Sequence, residues 1–480
     1  MSEIFYRQNN FSGGLADSAI FGIRGSFSEI VGCDIFSTPG VLKVSQALTK
    51  ESVVTGTEIV TDFCKFAIDA SDGNSYWFGD TGNIYKRTST GVWSKVKAAD
   101  ADGAILGAKE FNGYFYWANA TKLHEMIITG NWTTDIDSVA TWPKTLISAT
   151  YHPMIVQGLY MFIGNNRNIA SVDDAGTFTA TGTPSVTFDT LPPSYTIINM
   201  IPFGTDFIMG TRVNSTYESA RVFRQDFTLV SPLTDDDIPE TGVNCFIRTD
   251  NYIFIQAGSQ GTFYYYDGKT IEKVKKIPGD YANKTMIVHP GSTCVFQGRA
   301  MIGVSNLSGN PCNCGVYSFG QYDRNYPMAL VLEYVISPNK LSSIEIGAML
   351  AIGTKLVVAW KNGSSTYGVD VINYSAKYAG AYVKTLAITG EREGSKTFEE
   401  YVIGYKQKPT GTDIALSYYP NYSSSPTSLT LRDESAYNKL FADSSFEAGV
   451  AQFKISFTVS GNDAAEIDLL YFKWASREVL

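Results

Sequence analysis

Short apolar runs separated by turns rich in glycine and asparagine fill most of this 480-residue chain. Residues 76–96, YWFGDTGNIYKRTSTGVWSKV, show the pattern: an aromatic run, a Gly/Asn turn, an alternating run and a second turn before a further apolar run. Alternation with a period of two, bounded by turn residues, is typical of β-strands joined in hairpins. The pattern therefore predicts a chain built from antiparallel strands.

This unit recurs six more times, over residues 104–128, 146–172, 195–223, 244–274, 292–319 and 343–372. The second strand of each unit is predicted to begin near Tyr76, Tyr114, Leu159, Asp206, Tyr252, Ala300 and Lys355. These starts are 38, 45, 47, 46, 48 and 55 residues apart, and a four-stranded propeller blade takes roughly 40–50 residues. We therefore predict an all-β fold with a β-propeller of about seven blades. An array of sandwiches or a β-solenoid is the alternative, although solenoids have shorter and more regular repeats.

The composition agrees with stacked blades. Aromatic residues make up 13% of the chain, and the 29 Tyr and 28 Phe far outnumber the 7 Trp; such residues favour strands. Runs such as YIFIQA (252–257) and KLVVAW (355–360) are nearly continuous in apolar residues. Continuous runs indicate strands that are buried on both faces, as they are when blades pack against one another.

The two ends depart from the repeat and define three predicted domains. Residues 1–50 are an extended, glycine-punctuated arm, residues 51–378 the propeller, and residues 379–480 a small antiparallel β-sandwich with long alternating strands. The arm has two interpretations. It reaches a neighbouring subunit, or it lies across its own propeller and supplies a closing strand.

Charge and cysteine content restrict the partners. The net charge is −9, whereas a nucleic-acid-binding domain carries a basic patch or stripe; we expect no sequence-specific nucleic-acid binding. No apolar run approaches the roughly 20 residues of a membrane-spanning helix, and no secretory h-region follows the N-terminus, so we expect no membrane insertion. The six scattered cysteines indicate reduced structural thiols and synthesis in a reducing cytoplasm.

The sequence predicts no catalytic residue, no cofactor and no metal site. The histidines, His124, His152 and His289, are far apart in sequence, and two of them precede proline. The acidic run at 235–237 is compatible with a calcium ion, but a solvated turn between blades explains it better. The SVDDAGTFT stretch at 171–179 only partly fits the Asp-box of sialidase-like propellers, and hairpin chemistry accounts for it.

The overall plan resembles structural proteins of tailed bacteriophages. The resemblance is carried by the NNFSGGL opening, the STPGVLKV segment, the propeller and the terminal FEEYVIGYKQKPTGTDIALSYYPN region. It implies a non-enzymatic virion protein of the tail, similar to nozzle or tail-hub components, made in the host bacterial cytoplasm. Its partners would be copies of itself and neighbouring tail proteins, with a host-surface glycan as a further candidate. We expect Tyr6, Phe11, Gly13 and Gly14 in the arm, with the terminal sandwich, to make the subunit contacts.

Two other functions stay open. The second is a propeller that binds carbohydrate or a receptor, in which Trp93 and Trp132 at blade tips stack on sugars; packing in the core is the plainer explanation of each. The third is a glycoside hydrolase, which requires two carboxyl groups with displaced pKa values in the axial channel. The sequence also leaves open whether that channel passes DNA.

Overall fold

The computed structural model describes residues 3–51, 62–99, 101–214, 218–249, 253–306, 309, 311–363, 366–389, 396–442 and 444–476. Over these residues the fold is all-β, with a single turn of 3₁₀ helix at Ser435–Tyr437. The described part of the chain forms a seven-bladed propeller and a β-sandwich, so the predicted fold class is confirmed.

Each blade is an antiparallel sheet of four strands, and the innermost strands contact one another in a closed ring. From the axis outwards, blade 1 contains Cys64–Asp69, Ser75–Gly79, Ile84–Arg87 and Trp93–Lys97; blade 2 contains Gly107–Phe111, Tyr114–Ala118, Lys122–Ile127 and Lys144–Thr145; and blade 3 contains Met154–Gln157, Tyr160–Asn165, Asn168–Asp173 and Phe178–Thr179. In the same order, blade 4 contains Tyr195–Phe203, Asp206–Val213, Ala220–Gln225 and Thr234–Ile238, and blade 5 contains Val243–Arg248, Ile253–Ala257, Thr262–Tyr266 and Ile271–Lys276. Blade 6 contains Thr293–Phe296, Arg299–Val304, Gly315–Gly320 and Ala329–Tyr334, and blade 7 contains Ile344–Ile352, Lys355–Asn362, Thr366–Lys377 and Gln46–Lys50.

The predicted starts of the second strands agree with these bounds. Six of the seven fall within one residue of the observed start. The seventh, Tyr252, lies outside the described residues, and the described strand there is Ile253–Ala257. The local turn chemistry therefore fixes where each blade begins its first hairpin.

Blade 7 takes its outer strand from the arm. Gln46–Lys50 pairs antiparallel with Thr366–Lys377, in a register that places Thr49 opposite Val371. The first and last parts of the propeller are thereby hydrogen-bonded in one sheet, which closes the ring without leaving a long edge exposed. Of the two interpretations of the arm, the closing strand is the one that these residues adopt.

Blades pack through large side chains on both faces, with small residues where backbones meet. Between blades 1 and 2, the rings of Tyr76 and Phe115 pack at a tilt of 52°, with their centroids 4.4 Å apart. Between blades 7 and 1 the backbones approach closely at Gly347, where a Cβ would lie 2.1 Å from the carbonyl oxygen of Cys64. Glycine is required there because every other residue would clash.

The sandwich combines the C-terminal strands with two strands of the arm. One sheet contains Glu3–Gln8, Glu466–Ser476, Lys396–Gln407, Lys439–Ala442 and Arg432–Glu434, with Phe446–Ala448 also paired to Lys396–Gln407; the other contains Ser26–Val31, Tyr382–Thr385, Ala451–Thr458, Asp413–Pro420 and Thr427–Leu429. Two shorter pieces complete the arm, Gly14–Leu15 beside Ser26–Val31 and the pair Cys33–Asp34 with Lys43–Val44. The two sheets enclose an aromatic core in which Phe453 and Phe472 stack at 4.2 Å.

One arm strand joins the two domains. Ser26–Val31 lies in the sandwich, and its end also pairs in parallel with the outer strand of blade 6, Val31 opposite Leu332. A single ten-stranded sheet therefore runs from blade 6 into the sandwich. The arm is an integral part of both domains.

Candidate functional site

The four arm residues predicted to contact a neighbouring subunit pack against their own chain. Tyr6 lies opposite Phe472 in the sandwich, with the rings stacked at 5.8 Å. Phe11 is 1% exposed and stacks on Phe27 at 6.0 Å. These side chains fix the arm in place. Their contact with another subunit stays a prediction.

Gly13 allows two parts of the arm to approach each other, and Gly14 allows the arm to approach blade 6. A Cβ on Gly13 would lie 2.6 Å from the backbone nitrogen of Ser26, and one on Gly14 would lie 2.7 Å from the carbonyl oxygen of Leu330. Gly14 also has a φ of +60°, in the left-handed region that favours glycine. The two glycines are therefore needed for docking within the chain.

Charged groups fasten the arm at two further points. Asp17 accepts a hydrogen bond from the backbone of Lys276 at 3.2 Å, on the outer strand of blade 5. Asp34 lies 3.8 Å from Arg299, which also donates to the buried Glu333 at 2.6 Å. Burial raises the pKa of Glu333, and the charge of Arg299 opposes that rise. The ion pair is therefore the main compensation for a buried carboxylate.

Between these fastenings the arm presents an apolar loop to solvent, which we call the arm loop (residues 18–24). Ile20 is 38% exposed, Phe21 77% and Ile23 49%. The loop is fixed at its base, because Ala387 donates a backbone hydrogen bond to Ala19 at 2.8 Å. Contiguous exposed apolar residues mark interaction surfaces. The exposure of this loop was not predicted from the sequence, although the run AIFGI at residues 19–23 was the available signal.

Two other surfaces carry exposed apolar side chains. Phe5, 61% exposed, lies on Glu3–Gln8, which forms the edge of its sheet. Leu229, Val230 and Leu233 are 43%, 51% and 44% exposed in the loop that precedes the outer strand of blade 4, and we call them the blade 4 patch. An open edge and an apolar patch are both surfaces to which another chain can bind.

A polar cluster closes the propeller axis on the face where the inner strands begin. The hydroxyl of Tyr151, from blade 3, lies 3.0 Å from Nδ1 of His289, which precedes blade 6. Blades 3 and 6 are separated by two blades on one side and three on the other, so this contact crosses the centre. Phe66 of blade 1 lies against Tyr151 at 6.1 Å. The axis is blocked at this level, and DNA cannot pass through it.

The same cluster contains the two axial carboxyl groups that come nearest to the glycosidase hypothesis. Burial raises the pKa of Asp80, against the charge of Lys65 at 3.0 Å. Burial also acts to raise the pKa of Glu345, but its bond to His289 at 2.8 Å and nearby lysines outweigh it, so that pKa is lowered. Opposite shifts are what a catalytic acid and base require.

Geometry argues against catalysis at this cluster. Glu345 is occupied by His289, and burial raises the pKa of Tyr151, which makes its phenol a poor nucleophile. The adjoining cavity holds about 250 Å³ and is lined by neither Asp80 nor Glu345, whereas small-molecule sites hold roughly 300–1,000 Å³. The arrangement supports a role in closing the axis.

The remaining polar candidates have structural partners. His152 contacts the carbonyl oxygens of Gly164 and Ala120 at 2.9 and 3.2 Å, and His124 contacts Asp137 at 2.7 Å. Among the described residues no group of three or more His, Cys, Asp or Glu side chains is placed to hold a metal ion. None of the described segments is a helix long and apolar enough to cross a bilayer.

The acidic run at 235–237 is not a turn, and that part of the prediction is wrong, although Asp235 and Asp237 are exposed to solvent as expected. It lies in the outer strand of blade 4, Thr234–Ile238, where alternate side chains point to opposite faces. Asp235 and Asp237 pair with Arg221, and Asp236 accepts a hydrogen bond from Tyr266 of blade 5 at 3.0 Å. The acids therefore join neighbouring strands and blades.

The two tryptophans considered for sugar stacking pack inside the propeller. Trp93 is 2% exposed and donates to Glu51 at 2.9 Å. Trp132 is half-buried and stacks on Tyr76 at 5.6 Å and on Phe115 at 5.7 Å. The plainer explanation, packing in the core, describes these contacts.

No protein-family model matches the chain, and no curated protein matches it. Among solved structures, the chain is similar to the extracellular domain of a protein described as a hybrid two-component system from B. thetaiotaomicron, with a TM-score of 0.48, 14% identity and coverage of 76% of this chain. It spans 44% of that structure's length. It is also similar to the β-propeller domain of Myceliophteria thermophila Cps50 (TM-score 0.47, 9% identity, 66% and 99% of the two chains) and to the WD40 propeller of Doa1 (TM-score 0.44, 9% identity, 68% and 97%).

Proposed function

We propose that this chain is a non-enzymatic structural protein of a bacteriophage tail, which assembles with copies of itself into a ring or hub within the virion. The arm loop is the observation that carries the assembly role. A loop of three exposed apolar side chains, on an arm that is otherwise fixed by strand pairing and packing, lowers its free energy by docking on another surface. The tail assignment is supported by the resemblance of the arm, propeller and sandwich to tail proteins.

A ring built from identical subunits needs two different surfaces on each copy, because head-to-tail contacts join unlike patches. The described residues offer such a pair in the arm loop and the blade 4 patch. In the proposed ring, Phe21 and Ile23 of one copy pack on Leu229 and Val230 of the next. The open strand Glu3–Gln8 is a further surface, available to a neighbouring tail protein by strand addition.

Light scattering after size exclusion, over a concentration series, tests the proposal. We expect an oligomer of the 52.6 kDa chain that the double variant F21S/I23S shifts towards monomer. The matched control is V92S/I147S, since Val92 and Ile147 are 53% and 45% exposed on the propeller. A monomer at every concentration, or an oligomer that F21S/I23S leaves unchanged, contradicts the proposal.

Removing residues 1–50 does not test the same point. That deletion takes away Gln46–Lys50, the outer strand of blade 7, and Ser26–Val31 in the sandwich. Loss of assembly would then follow from loss of the fold. Substitution of exposed side chains keeps the two effects apart.

A further inference from the structure

A groove of about 590 Å³ lies between blades 2 and 3. It is formed by the hairpin at Asn112, by the loop that leads to Trp142, and by the turn at residues 174–177 of blade 3. The hairpin at Asn112 follows the end of an inner strand, and the other two segments each follow the end of a third strand. The axial cluster lies where the inner strands begin, so the groove opens on the opposite face of the propeller. Its volume falls within the range of small-molecule sites, roughly 300–1,000 Å³.

Aromatic side chains form one wall of the groove. Tyr116 lies between the other two, with ring centroids 6.2 Å from Tyr114 and 5.6 Å from Trp142. Trp142 is 8% exposed and Tyr114 is half-buried. The ammonium group of Lys144 lies 5.2 Å from the centre of the Trp142 ring. The wall therefore offers flat apolar surface with a hydrogen-bond donor beside it.

Glu125 lines the groove and is 5% exposed. Its backbone is paired with Asp137, but among the described residues no group donates a hydrogen bond to its carboxylate. Burial raises the pKa of Glu125 to about 7; the charge of Asp137 adds to this effect and that of Lys144 opposes it. The carboxylate oxygens of Glu125 are not among the fully buried atoms without a partner, so they reach the groove, where the hydroxyl groups of a ligand would donate to them in place of water.

We propose that this groove binds a neutral saccharide. Sugar rings pack against Tyr114 and Trp142, and sugar hydroxyl groups donate to Glu125 and accept from Lys144. Lys144 would repel a cationic ligand, and Glu125 would repel an anionic one. The two side chains together therefore favour a ligand without net charge. A hydroxyl group both donates and accepts, and so satisfies acid and base together.

Sugar binding in the groove is independent of the proposed assembly role. None of the residues that carry it belongs to the arm loop or the blade 4 patch. Failure of sugar binding would leave assembly untouched, and failure of assembly would leave the groove untouched.

Binding is tested by titrating the full-length chain with maltopentaose, cellopentaose and mannopentaose, followed by tryptophan fluorescence and calorimetry. Pentagalacturonate and chitosan pentamer are the charged comparators. We expect at least one neutral sugar to bind below about 1 mM and both charged ones to bind at least tenfold more weakly. E125Q retains the size of the side chain and removes its charge, and we expect it to weaken binding about tenfold. Y114A, which removes part of the aromatic wall, should weaken it to a similar extent.

The matched controls are E272Q, an exposed glutamate of blade 5, and Y422A, a tyrosine of the sandwich that is 55% exposed. Both should bind sugar as the unaltered protein does, and the melting temperature of each variant reports whether it is folded. The inference is overturned if no neutral sugar binds at about 10 mM, if a charged pentamer binds best, or if both E125Q and Y114A bind normally.

Discussion

Glu51 accepts two hydrogen bonds from Arg87, at 2.7 Å from Nε and 2.7 Å from Nη2, and so ties the end of the closing strand to blade 1. Arg87 is 1% exposed, and the indole of Trp93 donates to the same carboxylate. Parallel, charge-assisted bonds of this kind are among the strongest polar contacts in proteins. Backbone pairing in blade 7 and this ion pair together hold the ring closed.

We expect E51Q to destabilise the propeller by about 3 kcal/mol, because it leaves a buried guanidinium without its counter-charge. Urea unfolding followed by tryptophan fluorescence measures the change, and Trp93 lies directly at the site. D413N is the control, since Asp413 pairs with Lys408 while 65% exposed, and such pairs contribute roughly 0–1 kcal/mol. Equal effects of the two substitutions would show that the Glu51 pair does not close the ring.

Arg299 pairs with Glu333 within blade 6 and lies 3.8 Å from Asp34 of the arm, so we expect it to fasten the arm to blade 6. R299M leaves Glu333 buried and unpaired, and we expect a loss of about 3–5 kcal/mol in the free energy of unfolding. R299M/E333L removes the stranded charge, so it should be less destabilised than R299M alone. A double variant that is worse than R299M, measured by the same urea titration, would contradict this interpretation.

The raised pKa of Glu125 predicts that the stability of the fold falls as the pH rises. Its pKa in the folded chain is raised from 4.5 to about 7, so its contribution to stability is complete below 4.5 and is lost as the pH rises through 7. The amide that E125Q introduces does not ionise. Hence E125Q should match the unaltered protein at pH 4 and have a higher melting temperature at pH 8. A melting temperature at pH 8 that E125Q does not raise would show that Glu125 ionises in the folded chain without a cost in stability.

All six cysteines are free, and five are buried. Burial raises the pKa of Cys245 and Cys294 to about 12 and that of Cys312 to about 11. A thiol reacts as its thiolate, so we expect a disulfide reagent at pH 8 to label the native chain slowly, with the partly exposed Cys294 first. All six should react in denaturant. Rapid labelling of several thiols in the native chain would be incompatible with the packing described.

The sequence was sufficient to predict the blades because each one is local. Turn residues and apolar runs lie within a few tens of residues, and the predicted starts at Tyr114, Asp206 and Lys355 coincide with observed strands. The role of the arm is different in kind. Thr49 pairs with Val371, which is more than 300 residues away. The hydrophobic pattern of a strand does not indicate which distant strand it will pair with.

The candidate sites were hidden for the same reason. Glu125 and Trp142 line a groove only because blades 2 and 3 pack side by side. Tyr151 and His289 come into contact only across the propeller axis. The predicted contacts Phe11 and Gly14 were plausible as exposed arm residues, but glycine and aromatic residues serve close packing equally well. Exposure is a property of the tertiary fold, and it distinguishes Phe21 from Phe11.

The most direct test of the assembly proposal is a photo-cross-link from position 21. A benzoylphenylalanine placed there in the full-length chain should cross-link to a second copy on irradiation, with mass spectrometry locating the adduct on residues 227–233 of blade 4. The same probe at position 92, which is 53% exposed as Val92, should give no dimer. Cross-links from position 21 that stay within one chain, or dimers that form equally from both positions, would contradict the account.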